Sequence, residues 1–248
     1  MKILRTIAWY THFCVSLVFT IPMLYKAKRL EKQGREDEKL EYVHKITSRW
    51  AKLQLKMSGV QVVVFGEENI PKDIPLVFMS NHQSNFDIPL LMVHINKFKG
   101  FVAKTELRKL PIVRDWMGHI NCVFMDRDDL RQSVKTIIEG IKMIEEGHSF
   151  VIFPEGTRSK GNQMGDFKAG SFKLATKPKV PIVPITINGS YKIMEQNGNK
   201  IKSEKVDIYI HPIVETANLT KEEIDELPNR VKTIINSPLR RNKNEITN

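Results

Sequence analysis

The chain has 248 residues, 41% hydrophobic and 27% charged, which supplies one domain with an appendage and excludes global disorder. Two cysteines, Cys14 and Cys122, exclude a disulfide framework and a cysteine-built zinc site. A net charge of +11 implies an anionic partner: nucleic acid, an acidic lipid surface or a phosphorylated substrate.

Of that charge, +7 falls within residues 1–60, which also hold the most apolar stretch. Residues 7–25 contain no Asp, Glu, Lys or Arg, and Lys2, Arg5, Lys26, Lys28 and Arg29 bracket them. The run reaches the length of a membrane span. Thr11, His12, Ser16, Thr20 and Pro22 dilute it, however, and basic residues at both ends leave the positive-inside rule no orientation to assign. A true span and a soluble core helix are compatible with the run; a helix lying in one leaflet suits its flanks better. Trp9, Phe13, Leu17, Phe19 and Leu24 are the expected lipid-facing side chains. No small-x-small cleavage site follows, which argues against a cleaved signal peptide.

After Gly34, apolar positions Leu40, Val43, Ile46, Trp50, Leu53 and Met57 recur at helical spacing, and Lys45, Arg49, Lys52 and Lys56 form an adjoining basic face. The basic face reads as an ordinary solvated surface or, beside the first segment, as one arm of a hairpin seated on anionic headgroups. Aromatic content of 8%, with no zinc-finger or RRM signature, gives nucleic acid little support. The expected division is a two-helix membrane-binding segment at 1–58 and a catalytic α/β domain at 59–248.

From residue 60 onward, short β-branched runs at 60–65, 76–80, 101–103, 120–125, 150–153, 182–187 and 206–210 predict about seven strands. Helical patterns at 88–95, 129–146, 167–176 and 221–235 fall between or after them, and Gly147 marks a helix stop. The predicted fold class is α/β: a mixed, largely parallel sheet of about seven strands covered by helices. Residues 160–166 and 191–205 read as surface connections, and the tail from 238 as frayed. Cys122 reads as a core residue.

In open α/β sheets, ligands bind beyond the carboxyl ends of the strands. Residues just past the predicted strands are therefore the natural place for a site. There stand Asn81, His82 and Asp87; Lys104; Asp126 and Arg127; and the run Pro154, Glu155, Gly156, Thr157, Arg158, Ser159. His82 and Asp87, five apart, would diverge by about 140° on a regular helix. If His82 lies in the turn and Asp87 opens the next helix, the chain folds back and joins carboxylate to imidazole. Pro89 suits a first helical turn. The alternative is a capping Asp87 and a simple turn histidine. An oriented imidazole suits deprotonation of an alcohol. No Gly-x-Ser-x-Gly elbow supplies a protein nucleophile, so a substrate hydroxyl is the natural target. Arg127 near a helix start and Arg158 beside Gly156 suggest a phosphorylated ligand or surface ion pairs. No Walker A sequence or metal-binding spacing appears.

These blocks resemble the glycerophospholipid acyltransferases, specifically the bacterial 1-acylglycerol-3-phosphate (lysophosphatidate) acyltransferases. The family's Asn-His-x-x-x-x-Asp stands as Asn81, His82 and Asp87. Its second block is Phe124-Met125-Asp126-Arg127. Its Phe-Pro-Glu-Gly-Thr-Arg-Ser block runs complete from Phe153 to Ser159, and its Val-Pro-Ile-Val-Pro strand from Val180 to Pro184. The blocks occur in order over about residues 60–215 and say little about 1–58. The resemblance implies acyl transfer from an acyl carrier protein or coenzyme A thioester to the sn-2 hydroxyl of lysophosphatidate. His82 would be the base and Asp87 its partner, with no acyl-enzyme, resident cofactor or metal. Lys104, Arg127 and Arg158 would hold the phosphate, and Glu155, Gly156 and Thr157 would shape the acceptor site. Work at the cytoplasmic face of the cell membrane, peripherally bound, would follow. An acyltransferase for glycerol 3-phosphate or another lysolipid shares these blocks, and a non-catalytic anionic-lipid-binding protein shares the charge pattern.

Overall fold

Seven short apolar runs form one sheet in the computed structural model, which describes residues 2–126 and 129–246. The strands are β1 (Gln61–Phe65), β2 (Val77–Ser80), β3 (Lys99–Lys104), β4 (Val123–Met125), β5 (Ser149–Ile152), β6 (Ile182–Asn188) and β7 (Lys205–Ile210), in the order β1-β7-β6-β2-β5-β3-β4. Every neighbouring pair is parallel except β6 and β7. The expected mixed, largely parallel sheet is therefore present. Parallel strands covered on both faces read as continuous apolar runs, and the central strand β2 is buried throughout, with Val77 opposite both Phe150 and Ile182.

Alternation along the strands divides the core in two. Phe78, Val151 and Ile185 face one layer; Val77, Met79, Phe150 and Ile152 face the other. The second layer is closed by helices α6 (Leu130–Glu145), α7 (Ala169–Thr176) and α8 (Lys221–Ile246), through Ile144, Phe172, Leu174, Leu227, Val231 and Ile235. Asp129 caps α6, its Oδ1 accepting from Arg131 N at 2.8 Å and Gln132 N at 3.1 Å.

The first layer is closed by α4 (Asp87–His94) and α5 (Pro111–His119), and by the N-terminal helices α1 (Lys2–Phe19), α2 (Ile21–Lys32) and α3 (Glu36–Ser58). Pro22, at the start of α2, cannot donate its backbone bond, so the axis breaks at Thr20. Gly34, at φ +69, makes the turn into α3.

Except for exposed Thr11, the polar side chains that dilute the apolar run face inward. Trp50 Nε1 and Gln54 Nε2 each donate to Ser16 Oγ at 3.0 Å, His12 lies 3.3 Å from Gln54 Oε1, and Trp116 Nε1 donates to Thr20 Oγ1 at 2.8 Å. Trp9, Phe13 and Leu24, expected to face lipid, also turn inward: Trp9 packs against Phe86 with ring centroids 5.3 Å apart. The bare face holds Phe19, as expected, with Ile3, Leu4, Ile7, Val15 and Val18, and is continued by Met23 and Tyr25. Residues 2–32 are long and apolar enough to cross a membrane by length and composition.

Other expectations need correction. On α3, Leu53 and Met57 are exposed, while small residues Thr47, Ala51 and Ser58 are buried because neighbouring helices approach that side. Helix α5 carries too few buried positions, Trp116, Met117 and His119, to announce itself. Residues 191–205 are no mere surface connection, since Ile193, Met194 and Ile201 are buried and two 3-10 turns, Ser190–Lys192 and Glu195–Asn197, shape the path. The tail does not fray at 238: α8 continues to Ile246, because Leu239 extends the buried stripe of Leu227, Val231 and Ile235 past Pro238. Cys122, read as core strand, packs partly buried just before β4.

Candidate active site

The turn after β2 is pinned by side chains before it presents any chemistry. Asn81 works like an extra rung of sheet, donating through Nδ2 to Ile187 O and accepting from Ile187 N, both at 2.8 Å. His82 follows. Its N–H donates to Glu155 Oε1 at 2.7 Å, and its carbonyl accepts from Ser159 N at 2.7 Å. The loop after β5 thus grips the histidine backbone from both sides. Phe153 stacks on the imidazole with centroids 4.0 Å apart and ring planes 16° apart.

The chain folds back, the arrangement in which His82 and Asp87 can meet. His82 Nδ1 lies 2.7 Å from Asp87 Oδ2. The same oxygen accepts from Gln83 N at 2.7 Å and Ser84 N at 2.8 Å, and Oδ1 accepts from Ser190 Oγ at 2.5 Å. Asp87 is fully buried. An acceptor at Nδ1 fixes the neutral tautomer that carries its proton there, leaving the Nε2 lone pair outward. Asp87 therefore caps the turn and orients His82 at once.

Glu155 is buried, its second oxygen accepting from Gly165 N at 2.8 Å. Burial pushes its carboxyl above the usual range, opposed by the two N–H donors. Beside it opens a cavity of about 320 Å³ lined by Lys104, Glu106, Asp126, Glu155, Gly156, Thr157 and Lys168. Lys104, at the end of β3, stands 3.4 Å from Glu106. Gly156 sits at φ +70, a conformation that favours glycine.

The structure thus gathers Lys104, Glu155, Gly156 and Thr157 around one cavity, next to the His82–Asp87 pair. Arg158 does not line that cavity: its Nη1 donates to Glu195 Oε1 at 3.0 Å. Arg127 lies outside the described residues. Among the described residues, no cluster of three His, Cys, Asp or Glu side chains could hold a metal ion.

Four contributors escaped the sequence reading. Glu195, its side chain only 4% exposed, accepts from Arg158, from Asn85 N at 2.9 Å and from Ser84 Oγ at 2.6 Å. Gln83 Oε1 accepts from Gly189 N at 3.0 Å. Ser190 braces Asp87. Lys168 stands on the cavity wall. All but Gln83 lie far along the chain from His82, in segments with no strand or motif of their own to mark them.

A family model described as acyltransferase matches residues 61–188. A Mycoplasma pneumoniae protein named probable 1-acyl-sn-glycerol-3-phosphate acyltransferase is 32% identical, over 88% of this chain and 85% of its own. A Borreliella burgdorferi 1-acyl-sn-glycerol-3-phosphate acyltransferase is 30% identical over 73% of this chain and 72% of its own. The crystal structure of the 1-acyl-sn-glycerophosphate acyltransferase PlsC from Thermotoga maritima superposes with a TM-score of 0.85 at 31% identity, covering 98% of each chain.

Proposed function

We propose, from the premise that the chain belongs to the acyltransferase family and is a 1-acylglycerol-3-phosphate O-acyltransferase, that it takes an acyl chain from an acyl carrier protein or coenzyme A thioester without forming an acyl-enzyme. The acceptor is the sn-2 hydroxyl of lysophosphatidate, and the product is phosphatidate. The observation that carries this reading is the 2.7 Å contact between His82 Nδ1 and buried Asp87, which leaves Nε2 as the base.

His82 Nε2 removes the hydroxyl proton as the oxygen attacks the thioester carbonyl. The tetrahedral intermediate collapses, the C–S bond breaks, and the imidazolium returns the proton to the departing thiolate. Asp87 holds the ring in the required tautomer and stabilises the transient imidazolium. Lys104 and Arg158 supply positive charge for the acceptor's phosphate, and Arg127 of the family's second block is assigned the same role. Glu155, Gly156 and Thr157 shape its seat. The bare apolar face of α1 and α2 supports seating in one leaflet, on the cytoplasmic side where acyl thioesters are made.

The test is an acyl-transfer assay crossing acyl carrier protein and coenzyme A thioesters with lysophosphatidate, glycerol 3-phosphate and other lysolipids. Phosphatidate from lysophosphatidate, lost in His82→Ala, is the expected result. Preferential acylation of another acceptor would overturn the substrate assignment. Rapid-quench detection of acylated protein before product would overturn direct transfer.

A further inference from the structure

A phosphomonoester needs more than one cation for firm capture in water. Of the cations expected to hold it, only Lys104 lines the cavity among the described residues, and Lys104 already stands 3.4 Å from Glu106. Arg158 is engaged by buried Glu195. The other cation on the cavity wall is Lys168, just before α7. Its ammonium has no hydrogen-bond or ion-pair partner among the described residues.

Lys168 is held where it is by its neighbours. Its N–H donates to Pro154 O at 2.9 Å, tying it to the turn that carries Glu155 and Gly156. Its stem then crosses Gly156: a Cβ at that position would meet Lys168 Cε at 3.0 Å and Nζ at 3.1 Å. Glycine at 156 thus serves the positive φ and also leaves the lane along which the lysine runs.

We infer that Lys168 is a phosphate ligand of the acceptor, closing with Lys104 on the phosphomonoester over the turn of Gly156 and Thr157. This rests on the acyl-transfer reading above. The three carboxylates on the wall do not oppose it. Glu155 has its oxygens committed to His82 N and Gly165 N, and burial disfavours its charge. Glu106 stands beside Lys104, and Asp126 is engaged by a neighbour.

The donor also carries phosphate, but reach separates the two sources. In lysophosphatidate only C2, C3 and one ester oxygen lie between the reacting hydroxyl and phosphorus. In either donor a whole pantetheine arm separates the thioester from its nearest phosphate. Glu155 both lines the cavity and binds His82 N, so the cavity adjoins the base and suits the short spacing.

The experiment compares wild type, Lys168→Ala and Lys168→Arg, with acceptor and donor KM measured separately. Calorimetric binding of glycerol 3-phosphate to each full-length protein accompanies the kinetics. Loss of one charge-assisted contact to phosphate should raise acceptor KM about tenfold in Lys168→Ala and weaken glycerol 3-phosphate similarly. Donor KM should stay unchanged, and Lys168→Arg should recover most of the loss. An unchanged acceptor KM with unchanged binding, or a rise confined to donor KM, overturns the assignment. Wild type inactive with every acceptor would instead refute the acyl-transfer reading, and the calorimetry would still report on Lys168.

Discussion

Asp87 accepts from four donors: His82 Nδ1, Gln83 N, Ser84 N and Ser190 Oγ. Three come from its own turn, and one arrives from the segment after β6. An asparagine could keep its carbonyl toward His82, Gln83 and Ser84 and turn its N–H₂ to the Ser190 hydroxyl, but it carries no charge to stabilise the imidazolium. Asp87→Asn should therefore lower kcat by about 10²–10⁴-fold and lower the melting temperature, because hydrogen bonds to a charged acceptor become weaker neutral ones. His82→Ala should match the loss of activity with a smaller loss of stability, since His82 contributes ring stacking on Phe153 and no buried charge. Steady-state kinetics alongside thermal denaturation separates the two. Near wild-type turnover in His82→Ala would exclude it as the base.

At the scale of elements, the C-terminus of α4 depends on a buried lysine. Lys99 Nζ donates to Ile95 O at 2.7 Å and Lys97 O at 3.0 Å, and burial drives its ammonium down to about 7. A lysine depressed in the folded state binds fewer protons there than in the unfolded chain. Its contribution is thus complete above the unfolded value and is lost as pH falls toward the folded one. Wild type should lose melting temperature relative to Lys99→Met as pH is lowered from about 10 to 7, with the difference level below that. A constant difference across this range would refute the shift.

Elements with a strong local pattern were legible in the chain. The strands declared themselves through β-branched runs, α6 through its spacing and its Gly147 stop, and the His82–Asp87 contact, as one of two readings, through a helix that could open at Asp87. What was illegible depends on distant partners. Nothing near Glu195 announces that it will be buried against Arg158 and Ser84. Nor does the sequence of α1 tell which side of Trp9 meets Phe86 and which side remains bare.

For the molecule as a whole, that division between faces decides how membrane seating can be tested. Removing residues 1–58 would strip Trp9, Leu24 and Val43 from the core they share with Phe86 and Leu90, so activity would vanish by unfolding whatever the lipid contacts. The bare face offers a cleaner test. Leu4 is 74% exposed, Phe19 72% and Val18 57%, so charges placed there disturb little of the protein interior. Full burial of each such side chain in lipid is worth about 1.5–3 kcal/mol, and each Lys or Arg near an anionic surface adds about 1 kcal/mol. The triple variant Leu4→Asp, Val18→Asp, Phe19→Asp should keep its melting temperature and its activity on a short-chain, water-soluble acceptor. It should lose binding to anionic vesicles and activity on acceptor embedded in them. Raising salt should weaken wild-type binding only in part, because the apolar share is not screened. The inward-facing His12, Ser16 and Thr20 give α1 and α2 one side packed on protein and one side bare, as the proposed seating in a single leaflet requires. Cysteines introduced at Lys2 and Lys32, in a variant lacking Cys14 and Cys122, should both react with impermeant reagent from the cytoplasmic side alone. Reaction of the Lys2 position from the opposite side would establish a span and overturn the one-leaflet hairpin.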